Sequence, residues 1–98
     1  MANAKIQITK EKYDLLDRTH EYSIKVILLA KKIPLTIITS NLIGQFLKSG
    51  TSIGANYCEA DNAESKDDFI HKLSISCKES KETIYWLKMI ETACPELS

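Results

Sequence analysis

The stretch SKDDFIHKLSISCKESKETIYWLKMIETACP, residues 65–95, decides the fold. Within it Ile70, Leu73, Cys77, Ser80, Ile84, Leu87, Ile90 and Cys94 follow one another at spacings of three and four. That is the apolar seam of a helix packed in a bundle, with Phe69 beside it. Ser65 followed by Asp68 has the Ser-x-x-acid pattern of a capping box, and Asp67 and Asp68 suit the positive end of a helix. Pro95 ends the segment, because proline cannot continue an intrahelical hydrogen-bond ladder. The stretch predicts a helix over about 66–94, roughly 43 Å long at 1.5 Å per residue.

On the side opposite that seam, Ile75, Trp86, Met89 and Ala93 fall within about 60° of one another at 100° per residue. A lone chain would leave them in water. Either a neighbouring subunit or the first helix of the chain should cover them; tryptophan is enriched as an interface anchor, so these four residues are the expected contact between subunits of a homo-oligomer.

Upstream, Leu42, Ile43, Phe46, Gly50, Ile53, Tyr57 and Ala60 also cluster on one side at helical spacing. Local propensity opposes a helix there. Thr36 to Thr39 is β-branched throughout, and Gly44, Gly50 and Gly54 each cost about 1 kcal/mol relative to alanine. The periodicity outweighs the propensity and predicts a helix over about 38–62. Its glycines match no phosphate-binding pattern, so close helix packing is their expected role. A first helix is expected over about 10–33, capped by Thr9 and closed by Pro34. Its apolar arc is wide. Tyr13, Leu16, Ile24 and Ile27 form one stripe, and Leu15, Tyr22, Val26, Leu29 and Ile33 form another. Asp14, Arg18, Glu21, Lys25 and Lys32 make its polar face. A helix apolar over more than half its circumference is covered from more than one side. Short connectors between long helices make antiparallel neighbours, so the expected fold is an all-α, up-down helical bundle forming a single domain over residues 1–98.

Composition agrees. Ninety-eight residues suffice for one domain, and 3 Gly with 2 Pro are too few for a turn-rich all-β fold. Thirteen basic residues balance thirteen acidic ones, so no global field draws the chain to nucleic acid or to an anionic membrane. The charge is nevertheless uneven: residues 1–56 carry net +4 and residues 57–98 net −4. The longest apolar run, Val26 to Ala30, is far short of a membrane span. No signal-peptide pattern opens the chain, and Cys58, Cys77 and Cys94 include no C-x-x-C. Reduced thiols and a cytoplasmic location are expected.

Candidate chemistry is thin. Asp17-x-x-His20 and Asp68-x-x-His71, with Glu59, repeat the acid-x-x-His spacing of metal-binding bundles. His71, however, lies about 160° from Leu73 on a helical wheel, so no metal site is expected. Cys77 and Cys94 fall on the seam, where a thiol is a small apolar filler, and Cys58 has Glu59 beside it, which raises rather than lowers a thiol pKa. No catalytic residue and no cofactor are expected. Ser49, Ser52, Asn56 and Glu59 form a polar strip beside the apolar face of the second helix. They read either as an interhelical hydrogen-bond network or as a patch for a partner or ligand.

The run SGTSIGANYCEA (49–60), followed by ESKDDFIHKLSISCKESKETIYWLKMIE (64–91), closely resembles the bacterial four-helix bundle proteins of the 23S rRNA intervening-sequence type. The resemblance covers roughly residues 11–94. It falls on Ser52, Ile53, Asn56, Glu59 and Ala60, then on Ser65, Asp68, Phe69, Leu73, Glu79, Glu82 and Leu87, and more loosely on Arg18 and His20. It implies an antiparallel bundle that assembles as a ring, commonly a homopentamer, and does not imply an enzyme. Family members continue past a turn like Pro95-Glu96-Leu97-Ser98 into a fourth helix, so three long helices are expected here with the fourth missing or truncated. The expected role is a non-enzymatic, self-associating scaffold or adaptor with a protein partner. The alternative is an RNA- or reverse-transcriptase-associated accessory protein, as a related branch of the family implies, but a net charge of zero does not favour nucleic acid.

Overall fold

The computed structural model describes the backbone of residues 2–97 and the side chains of residues 14–97. Three long helices, α1 (Ala2–Lys32), α2 (Thr39–Asp61) and α3 (Lys66–Ala93), are followed by a 3-10 turn, Pro95–Leu97. The bundle is all-helical. Helix α1 starts at Ala2, so Thr9 lies inside it and is not its cap. No glycine or proline stands between Ala2 and Lys32, and a threonine alone does not stop a helix that has nothing to break it.

The other boundaries follow the sequence closely. Pro34 stops α1, and the Ile33 N–H closes its last turn on the Ala30 carbonyl at 3.2 Å. The Ser65 hydroxyl accepts the Asp68 N–H at 3.1 Å, capping α3. The start of α2 uses a cap the sequence reading missed. The Thr36 N–H donates to Thr39 Oγ1 at 2.8 Å while the Thr39 N–H donates to Thr36 Oγ1 at 3.1 Å. This is the reciprocal logic of a capping box with threonine in the usual glutamate position. Thr39 Oγ1 also donates to the Pro34 carbonyl at 2.6 Å, which ties the turn back onto the end of α1.

Helix α2 is the middle element. It packs against both α1 and α3, whereas the Cα traces of α1 and α3 stay more than 8 Å apart among the described residues. The molecule is therefore a flat slab, 55 × 24 × 15 Å. Its apolar core sits toward the end that holds the α1–α2 turn. There Val26, Ala30 and Ile33 of α1 and Phe46 of α2 are buried with Ile90 and Cys94 at the far end of α3. Toward the other end the contacts rest on small residues. Gly54 lies against Thr19 and Ser23 of α1, and Ser76 of α3 donates its hydroxyl to the Ile53 carbonyl of α2 at 2.7 Å.

Two of the three glycines explain the closeness of α1 and α2. A Cβ on Gly50 would sit 2.7 Å and 2.9 Å from the two methyls of Val26, and one on Gly54 would sit 3.2 Å from the Thr19 carbonyl oxygen. Gly44 has nothing within 4 Å. Gly44→Ala is therefore expected to raise stability by about 0.5–1 kcal/mol through helix propensity. Gly50→Ala is expected to lower it by ~1–3 kcal/mol, because Val26 is β-branched, buried and unable to swing away. Urea denaturation at one protein concentration checks the pair. Equal shifts of one sign would contradict the close approach at Gly50.

Candidate interaction surface

The seam that reads as the core of α3 is largely on its outside. Ile70 is 52% exposed and Ile84 51%, Leu73 is also exposed, and so is Cys77. Of the eight seam residues only Ile90 and Cys94 are buried, with Ser80 and Leu87 half-buried. The buried centre of α3 is Ser76, Thr83 and Ile90, which lies roughly 70° around the helix from the expected seam at 100° per residue. The cause is the chemistry of two hydroxyls. Thr83 Oγ1 donates to the Glu79 carbonyl of its own helix at 2.7 Å, and Ser76 Oγ donates to α2. Both are small and hydrogen-bonded, so burying them is cheap and lets α2 approach.

The same rotation moves the expected intersubunit residues. Trp86 and Ala93 pack against the buried cluster, and Ile75 and Met89 are half-buried. Trp86 also meets Tyr85 edge-on, with ring centroids 4.9 Å apart. The chain itself covers much of this face, which removes the argument for placing a subunit contact there. On α1, Val26, Leu29 and Ile33 of one stripe are turned to α2, while Leu15 and Tyr22 of that stripe, Ile24 and Ile27 of the other, and Leu28 are exposed. Tyr13 lies outside the described side chains. The outer apolar surface is thus the α3 flank of Ile70, Leu73, Cys77 and Ile84, with a second patch on α1.

A third exposed patch caps one end. In the α1–α2 turn Leu35 is 78% exposed, Ile37 96% and Ile38 67%. The Thr36–Thr39 hydrogen bonds fix this turn and hold the three side chains away from the bundle. No such tip was expected from the sequence. Its signal was available as three large apolar residues crowded into a connector between two helices.

The polar strip of α2 resolves into local bonds and one interhelical pair. Ser49 is buried and donates to the Gln45 carbonyl at 3.0 Å, and the Ser52 hydroxyl donates to the Lys48 carbonyl. Asn56 Nδ2 donates to the Ser52 carbonyl at 2.8 Å. These hydroxyls and the amide return to their own helix. Only Glu59 crosses to another, pairing with Lys72 Nζ of α3 at 2.9 Å. The hydrogen bond and negative charge of Glu59 hold the Lys72 pKa above its ordinary value. Among the described residues no buried side-chain nitrogen or oxygen lacks a partner.

Two depressions adjoin Cys58. An open one of about 470 Å³ is lined by Cys58, Glu59, Asn62 and Lys72. A narrower one of about 150 Å³ runs between α1 and α2, where Thr19, His20 and Ser23 face Gly54 and Cys58. The Thr19 and Ser23 hydroxyls donate to the Leu16 and Thr19 carbonyls of their own helix. Among the described residues no group of three His, Cys, Asp or Glu side chains could hold a metal ion. No described helix is long and apolar enough to cross a membrane.

Among the described residues the dominant surface feature is exposed apolar area. The fold has a solved counterpart, a crystal structure of a protein of unknown function from the S23 ribosomal protein family of Bacteroides thetaiotaomicron. The two chains are 38% identical with a TM-score of 0.68, over 81% of this chain and 73% of the other. No curated protein matches the chain. Residues 11–93, which include all of α2 and α3 and the greater part of α1, match the family of the 23S rRNA-intervening sequence protein. The chain belongs to that family.

Proposed function

We propose that the protein is a non-enzymatic, self-associating helical scaffold or adaptor that works in the cytoplasm. One observation carries the reading: Ile70, Leu73, Cys77 and Ile84 form an exposed apolar flank along α3. Burying a large aliphatic side chain is worth ~1.5–3 kcal/mol, so leaving this flank in water forgoes several kcal/mol per chain. A second copy supplies the cover. A closed ring is the proposed form, and five copies is the number that the family resemblance implies. Cys58, Cys77 and Cys94 are free thiols, which suits a reducing compartment.

The thiols also report on the assembly. Cys94 is buried, whereas Cys58 and Cys77 are exposed in one chain. The sequence reading expected Cys77 to be shielded inside the chain; under this proposal it is shielded by a neighbour. Cys58 should label rapidly at every protein concentration, and Cys94 slowly until denaturant is added. Cys77 should label rapidly at high dilution and become protected as the concentration rises. Equal rates for Cys58 and Cys77 across that range would rule out α3 as the contact.

A further inference from the structure

The slab has opposite chemistry at its two ends. At the α1–α2 turn, Leu35, Ile37 and Ile38 stand exposed beside Lys31 and Lys32, which are also exposed. Residues 22–58 hold four lysines and no acid. Glu91 and Glu96 share this end on the α3 side, while the lysine pair adjoins the tip directly. At the opposite end, where α3 begins, Phe69, Ile70 and Leu73 are exposed next to Glu64 and Asp67, both exposed as well. Residues 59–68 hold five acids and one lysine.

We infer that the α1–α2 tip of one copy docks on the start of α3 in the next, apolar tip on apolar flank and lysine pair on acids. The contact rests on the self-association proposed above and names the surfaces that meet. It cannot close within one chain. The tip lies beside the C-terminal end of α3, and the 20 residues between Leu73 and Ala93 span about 30 Å of helix. Tip-to-tip pairing is disfavoured, because it would bring four lysines together. The interface is therefore heterologous, which builds a ring where the rotation closes and an open array where it does not. Its charges add orientation and encounter rate to an apolar contact.

Charge exchange tests this directly. Lys31→Glu with Lys32→Glu reverses the tip, and Glu64→Lys with Asp67→Lys reverses the acceptor. All four positions are exposed, and circular dichroism confirms that the helices persist. Each variant alone should associate about tenfold more weakly than wild type in sedimentation velocity, and an equimolar mixture, in which unlike variants can alternate at all but one contact of a five-copy ring, should associate more tightly than either variant alone. Added salt should weaken wild-type association as well, a readout that needs no variant. An oligomeric wild type whose mass is unchanged by either reversal, or by salt, overturns the tip-to-flank contact and leaves self-association standing. Loss in both variants without recovery on mixing also overturns it. A wild type that sediments at 11.1 kDa throughout overturns both readings.

Discussion

Phe46→Ala should cost ~3–5 kcal/mol of stability, the largest effect expected of any single truncation in the chain. Phe46 is 2% exposed and sits where all three helices meet, against Val26, Ala30 and Ile33 on one side and Ile90 and Cys94 on the other. Truncating it would leave a cavity in a cluster to which all three helices contribute. A domain of this size has a total stability of about 5–15 kcal/mol, so the loss is a large share of it. Urea denaturation followed by circular dichroism measures the change. Phe69→Ala, on the exposed flank, serves as the comparison and should cost under about 1 kcal/mol in dilute protein. Similar losses for the two phenylalanines would mean that the core does not centre on Phe46.

Phe46 was legible in the sequence, and so was most of the fold. The helical spacing from Leu42 to Ala60 overrode three glycines, and the structure shows why. Gly50 and Gly54 are where α1 comes closest, so their missing side chains serve the packing that the periodicity reports. Pro34, Pro95 and Ser65 marked helix ends because each acts on the backbone locally. The start of α1 and the Thr36–Thr39 cap were not legible for the complementary reason. An uninterrupted helix carries no internal mark of where it begins, and threonine at the third position of a cap does not look like the usual acid.

The orientation of α3 was misread for a different reason. The helix is apolar on two flanks, one holding Leu73 and Ile84 and the other Trp86 and Ala93. Periodicity alone does not choose between them. The choice was carried by Ser76 and Thr83, which a hydropathy reading places in water although both are buried. The usable signal was their seven-residue spacing, continued by Ile90. Small hydroxyl residues that bond to a carbonyl belong where two backbones meet closely. The candidate site shifted with that rotation, from Trp86 and Met89 to Leu73 and Ile84.

Replacing Leu73 and Ile84 with glutamate together should therefore abolish assembly while leaving the fold intact. Both side chains are exposed in the single chain, so charging them costs little in the monomer. In an interface it would bury two unpaired carboxylates, at several kcal/mol each after relaxation. Charging Trp86 and Met89 should act differently. Trp86 packs on the core and Met89 is half-buried, so that pair should lower the unfolding midpoint first. The mass of the wild type and of the Leu73→Glu, Ile84→Glu variant by light scattering tests the central claim most directly. The account predicts a multiple of 11.1 kDa for the wild type and 11.1 kDa for the variant, with unchanged helix content. A wild type at 11.1 kDa at every concentration, or a variant that keeps the wild-type mass, would contradict it.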